Sequence, residues 1–187
     1  MQLRLEVAGA RAHSSPLWLA RALLPLAHNR GRVGANAEAE ELYDEARALF
    51  LQIGRAAGAA IATGQMGVLA LERGEVTLAE SRLRRAIGVL GGLEGAGFLG
   101  QTAILQAALA RVLVRTGRAQ LAEARLDEAL AARPHITNSS MRIALELAYV
   151  RALVELGRHD EAETARTLAA EHGASARLLA VTGGHTP

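Results

Sequence analysis

The chain contains no cysteine, so neither a disulfide framework nor a thiolate metal site is open to it. Aromatic residues are almost as scarce: Trp18, Tyr43, Phe50, Phe98 and Tyr149 are scattered through 187 residues and offer no platform on which bases could stack. Lysine is absent too, and all 21 basic residues are arginine, which we ascribe to codon bias in a GC-rich genome rather than to function. These arginines form no basic run, and 19 acidic residues bring the formal net charge to only +2. Direct nucleic-acid binding is therefore not expected. No stretch approaches the roughly 18 uninterrupted apolar residues of a membrane span. The N-terminus interrupts its apolar residues with Arg4 and Glu6 and lacks the continuous apolar segment of a signal peptide. The expectation is a soluble cytoplasmic protein that works away from membranes.

Catalytic and cofactor signatures are missing as well. The histidines (His13, His28, His135, His159, His172 and His185) have no metal-binding spacing, and His159 with Glu163 reads as a solvated helix pair. Ser14, Ser15, Ser139 and Ser140 stand at expected helix starts, where capping accounts for them. The stretch Gly91-Gly92-Leu93-Glu94-Gly95-Ala96-Gly97 lacks the Gly-Lys-Ser/Thr ending of a phosphate loop and reads as a flexible connection. No cofactor, metal or enzyme activity is expected.

What the chain has in abundance is alanine, set in a repeating register. Gly74, Gly117 and Gly157 each precede an alanine by five residues (Ala79, Ala122, Ala162), and a second alanine follows seven later (Ala86, Ala129, Ala169). Taking Ala39 as the equivalent in a first pair, the marked alanines are spaced by 40, 43 and 40 residues. Ile53, Leu93 and Ile136, fourteen residues beyond the first three, are all apolar and extend the register into the following connection. Such a period implies stacked helical units. Glycine past a helix end permits the left-handed turn into the next helix. The two alanines lie on nearly the same face, two turns apart, and let helices approach closely. One helix pair cannot bury such a face alone, so neighbours must stack.

The register predicts helix pairs over about 16–53, 56–91, 97–132 and 138–172, then a short helix at 174–181 and a tail at 182–187. Ser14-Ser15-Pro16 marks the first helix start and Asn29-Arg30-Gly31 its stop, with an irregularity expected near residues 21–25 because Pro25 removes a backbone donor. Residues 3–12 allow either a short helix or a strand.

These residues resemble the tetratricopeptide repeat (TPR) pattern. Gly67 and Ala110 stand at the family's small first-helix position, the alanine pairs at its two second-helix alanines, Leu83 and Leu126 at the large apolar position between them, and Pro134 at the closing proline. The fourth unit departs, with Val150 at the small position and Arg166 at the large one, and the period exceeds the family's usual 34 or so residues. Such periods resemble repeat arrays of large bacterial signal-transducing regulators. The resemblance implies one all-α domain, a right-handed solenoid of about four antiparallel helix pairs plus a short C-terminal helix.

It also implies that first helices line a concave face. Equivalent positions there are Val68, Arg111 and Arg151, and four residues on, Glu72, Arg115 and Glu155. Arg111, Arg115 and Arg151 read as a grip on a carboxylate or acidic peptide segment, since guanidinium offers paired hydrogen bonds. A salt-bridge row, Glu72–Arg115–Glu155, is the alternative. The expected function is non-catalytic binding of a protein or peptide, in a regulatory or scaffolding role. Alternatives are the sensor part of a larger bacterial transcriptional regulator, homodimerisation through an end repeat, and, remotely, a helical enzyme with a groove site.

Overall fold

The computed structural model describes residues 15–171, 173, 174 and 179. Among them are eight α-helices and one 3-10 turn. The helices are α1 (Pro16–Arg32), α2 (Asn36–Gln52), α3 (Ala56–Glu72), α4 (Val76–Leu90), α5 (Ala96–Arg115), α6 (Ala119–Ala131), α7 (Ser139–Glu155) and α8 (His159–Glu171), with the 3-10 turn at Arg133–His135 between α6 and α7. The all-α expectation holds, and the four helix pairs run over 16–52, 56–90, 96–131 and 139–171. The expected segment at residues 3–12 and the tail lie outside the described residues, as does the expected terminal helix at 174–181 apart from Ala174 and Leu179.

The turns within pairs follow one design. Gly34, Gly74, Gly117 and Gly157 have φ of +82°, +77°, +73° and +76°. In the α3–α4 turn the Gly74 N–H donates to the Leu71 carbonyl at 3.0 Å and the Glu75 N–H to the Ala70 carbonyl at 2.9 Å. The same two bonds recur around Gly34, Gly117 and Gly157. They are the Schellman closure, which satisfies the last carbonyls of the first helix while reversing the chain.

Tertiary contacts divide the chain between Val89 and Leu90 into two compact units. In the first, α1 packs on α2 and α2 on α3. Ala20, Leu23, Leu26, Ala46, Phe50 and Ala59 form its core, continued by Ala27, Tyr43 and Met66. Gly67 on α3 lies against Leu83 and Arg82 of α4. In the second unit, α5 packs on both α6 and α7, and α7 packs on α8. Although α5 is long and apolar enough to cross a membrane, 61% of its most apolar window is buried, as in a core helix.

The first helix corrects two expectations. It runs unbroken through Pro25. Buried residues on both sides of the proline (Ala20 and Leu23 before it, Leu26 and Ala27 after) hold both halves on one core. That packing outweighs a single missing backbone bond. The helix also continues past Gly31, which is helical and faces Leu69 and Ala39; the chain reverses at Gly34 instead. At α7, the capping residue is Asn138, whose Oδ1 accepts from the Met141 N–H at 2.9 Å, while Ser139 and Ser140 are the first helical residues. Leu93 is a further departure. Ile136 is buried and Ile53 half-buried, but Leu93 is exposed, so the register beyond the second alanines is not a uniform core position.

Three glycines predict three responses to alanine, each readable by chemical denaturation. Gly88 lies within α4 with open space around it, so Gly88→Ala should stabilise by about 0.5–1 kcal/mol through helix propensity. At Gly58 an added Cβ would sit 2.4 Å from Cδ1 of the buried Phe50 ring, so overpacking of about 1–3 kcal/mol should outweigh the same gain. Gly117→Ala should cost about 1–2 kcal/mol, because its left-handed backbone, not lack of space, is what requires glycine.

Candidate functional site

The six residues singled out by the register divide between the units. Val68 and Glu72 are on α3 in the first, half-buried and exposed respectively. The other four are on α5 and α7 in the second. There the structure brings Arg111, Arg115 and Glu155 together. Arg111 Nε donates to Glu155 Oε1 at 2.8 Å, and Arg115 forks onto both oxygens, Nη2 to Oε1 at 2.8 Å and Nε to Oε2 at 3.0 Å. Arg151 lies one turn before Glu155 on α7 and is half-buried. The Arg115–Glu155 part of the charge row is thus an ion pair between the two helices.

Exposure separates the two guanidiniums. The Arg111 side chain is 7% exposed, that of Arg115 is 34% exposed, and Glu155 is 21% exposed. Arg111 is therefore a buried cation whose charge needs a carboxylate close by, whereas Arg115 and Glu155 remain within reach of solvent. The spacing explains the pairing. Arg115 and Glu155 are 40 residues apart, the same interval as Ala122 and Ala162, so charges of opposite sign at equivalent positions meet when adjacent first helices pack.

The same signal occurs in the first unit, at a cluster that the sequence reading passed over. Glu40 on α2 accepts from Arg82 Nη2 at 2.8 Å and also from Arg73. Arg73 Nη2 additionally reaches Glu75 at 2.5 Å, and Arg82 Nη1 the Met66 carbonyl at 3.3 Å. Glu40 and Arg82 are 42 residues apart, about one period. Burial raises the Glu40 pKa, but hydrogen bonds from Arg73 and Arg82 outweigh it and hold the carboxyl below its ordinary 4.5. A shallow open depression lined by Asn36, Ala37, Glu40, Glu41 and Arg73 adjoins the cluster.

Two more polar groups in the second unit went unread. Glu146, fully buried on α7, accepts from Arg133 Nε and Nη2, both at 2.5 Å. Gln106, buried on α5, donates from Nε2 to Glu128 Oε2 at 2.7 Å. Each lies four residues before its unit's small first-helix residue, Val150 or Ala110; the first pair has Leu23 at that place. A long polar side chain at a register position that holds Leu23 in the first unit and Thr63 in the second is the signal that would have found them.

No protein-family model matches the chain, and no curated protein sequence does. Solved structures match over nearly all of it. A crystal structure of BtubC (BKLC) from P. vanneervenii superposes with a TM-score of 0.58 at 18% identity, covering 92% of this chain and 68% of the other. A putative kinesin light chain from Podosopora anserina, with nearly identical TPR-like repeats, gives 0.57 at 19% identity, covering 91% and 82%. These likenesses show the fold: this is a TPR-type helical repeat structure.

Two measurements test the electrostatics. Truncating Glu155 to alanine removes a carboxylate to which the buried Arg111 donates and should destabilise by about 2–4 kcal/mol. Replacing both partners with apolar residues (Arg111→Met with Glu155→Leu) should recover most of that loss, and denaturation of the three proteins decides it. For Glu40 the folded pKa is lowered, so the unfolded state binds the proton more readily. Its contribution is present above pH 4.5 and is lost as the pH falls through the folded value. Glu40→Gln should flatten the acid limb of stability against pH, below pH 4.5, and leave the neutral region's slope unchanged.

Proposed function

We propose that this chain is a non-catalytic repeat module that binds a protein or peptide partner, in a regulatory or scaffolding role. The TPR-type fold supports the binding part of this reading. Its small side chains are consumed in stacking helices, which leaves the outward positions of the first helices to recognise other molecules. The single observation that carries the reading further is the α5–α7 contact, where the partly exposed Arg115 holds Glu155 and the half-buried Arg151 lies one turn before that glutamate on the same helix. Side chains mounted on helices rather than loops hold their geometry before a partner arrives, which lowers the cost of binding. The titratable groups gathered there bind charge. An arginine keeps its proton at all physiological pH values, and the neighbouring carboxylate is occupied by two guanidiniums, so the set recognises acidic groups and does not transfer protons.

The structure also decides which residues can test the idea. Arg111 is too buried to be removed without disturbing the fold, so Arg115 and Arg151 are the useful pair. Immobilised full-length protein should capture a specific partner from native lysate, identifiable by mass spectrometry. Arg115→Ala with Arg151→Ala should weaken that capture by about 1.5–3 kcal/mol for each charged hydrogen bond lost, with helicity unchanged. Arg84→Ala, which removes an exposed ion pair with Glu80 on α4, should leave it intact. Equal capture by all three proteins would overturn the assignment of this face, and no specific capture at all would overturn the binding module.

A further inference from the structure

Charge is divided unevenly between the first two helices. α1 carries Arg21, Arg30 and Arg32 and no carboxylate, whereas α2 carries Glu38, Glu40, Glu41, Asp44 and Glu45 against the single Arg47. Part of this contrast is used inside the first unit: Arg30 pairs with Glu38, Arg47 with Asp44, and Arg73 and Arg82 with Glu40. The remainder points outward. Exposed residues recur at helical spacing, as Trp18, Arg21 and Pro25 on α1 and as Ala37, Glu41 and Ala48 on α2. The buried sides of both helices pack with Ala59 and Met66 of α3, so these stripes lie on the side away from α3. Trp18 is the most exposed large apolar side chain described, at 64%, and Arg21 stacks on its ring, 5.6 Å from the centroid. A tryptophan left in water with an arginine on its face has the composition of an interface centre. On α2, Glu41 hydrogen-bonds no cation among the described residues, and it borders, with Ala37, the open depression of about 510 Å³.

We propose that this face of α1 and α2 is a self-association surface whose partner is a second copy of the chain. A twofold axis sets α1 of each copy on α2 of the other. Trp18 then covers Ala37 and the depression beside it. Arg21, one turn along α1, meets Glu41 of the second copy, one turn beyond Ala37, and each contact occurs twice. A surface that binds itself in this way must hold both signs of charge, and a basic helix packed beside an acidic one supplies them. Helices of 17 residues are about 25 Å long, so two side by side offer roughly 500 Å² per copy. The total of about 1,000 Å² is the lower limit of a specific interface, so the dimer is a weak, reversible one. None of the α5 and α7 residues invoked above takes part, and the two readings stand separately.

Trp18 is the one tryptophan of the chain, so intrinsic fluorescence reports on this face alone. By light scattering, the full chain at about 100 μM should have twice its 19.7 kDa monomer mass. Dilution should return the monomer and move the Trp18 emission to longer wavelength. Arg21→Glu and Glu41→Arg should each stay monomeric at that concentration, because each sets like charges together at both contacts. Mixed in equal amounts the two should dimerise, since every contact then joins a glutamate to an arginine. Circular dichroism checks the fold of both. If either loses helicity, Arg21→Gln and Glu41→Gln take their place and should each weaken the dimer about fivefold, two exposed pairs being lost. A wild-type monomer at about 100 μM, a dimer that both charge reversals leave intact, or reversed monomers that fail to associate on mixing overturns the proposal. So does Trp18 emission that is blue-shifted at every concentration, the result expected if residues 1–14 of the same chain cover the ring. Lysate capture that depends on Arg115 and Arg151 should be indifferent to Arg21→Glu, so failure of one reading is told apart from failure of the other.

Discussion

The close approach of helix to helix at small side chains is the constraint from which the rest of this structure follows. All eight register alanines (Ala39, Ala46, Ala79, Ala86, Ala122, Ala129, Ala162 and Ala169) are 0% exposed. The facing first-helix positions, Ala27, Gly67, Ala110 and Val150, are buried with them. At Gly67 an added Cβ would sit 3.0 Å from Leu83 Cγ, which measures how little room remains. Alanine forms helix readily and loses no side-chain entropy on burial, but each one removes little apolar area from water. A fold built this way gains its stability from many repeated contacts, which explains how it manages with five aromatic residues.

The repeats vary in a compensated way. The second helices shorten along the chain, from 17 residues in α2 to 15 in α4 and 13 in α6. The connections after them lengthen in step, over 53–55, 91–95 and 132–138, so each second helix with its connection keeps the same span. The period of 43 rather than 40 between Ala79 and Ala122 comes entirely from α5, which has 20 residues where α3 and α7 have 17. Counted from the small residue of each first helix, the added residues are at the N-terminal end of α5, next to the glycine-rich connection.

Much of this was legible in the sequence because backbone and packing demands coincide. A glycine at a left-handed turn and an alanine at a close contact, five residues apart, leave few alternatives. The same rule holds at Gly34 and Ala39, where the breaker-like Asn29-Arg30-Gly31 was read instead. A helix end is set by the turn geometry, and Gly31 serves as a small packing residue. The Pro25 misreading has a similar origin: a local backbone defect was weighed without the tertiary contacts on both sides of it. At the candidate site the register placed Arg115 and Glu155 at one equivalent position and Arg111 one turn before it, and the structure joins them. Equal spacing along the chain could not distinguish a buried Arg111 from a half-exposed Arg115, because burial depends on what the neighbouring helix supplies.

The buried polar positions show what side chains are asked to do when the backbone cannot. Four residues before the small position the successive units carry Leu23, Thr63, Gln106 and Glu146. Thr63 satisfies itself against the Ala59 carbonyl at 2.8 Å, but Gln106 and Glu146 need partners elsewhere, in α6 and in the 3-10 turn. The Glu146 carboxylate loses its water while the Arg133 side chain stays 31% exposed, and burying a paired charge adds little net stability, so this pair is better understood as geometry. The short α2–α3 connection is closed by its own backbone, with Gly54 at φ +70° and the Arg55 N–H donating to the Phe50 carbonyl at 2.8 Å. The longer α6–α7 connection has no such glycine. It is fastened instead by Arg133 onto Glu146 and by Arg142 Nη2 onto the Ile136 carbonyl at 2.6 Å. As the second helix shortens and its connection grows, the task of fixing the next helix passes from backbone hydrogen bonds to a buried carboxylate. That requirement accounts for a fully buried glutamate in a helix whose other buried residues are apolar or aromatic.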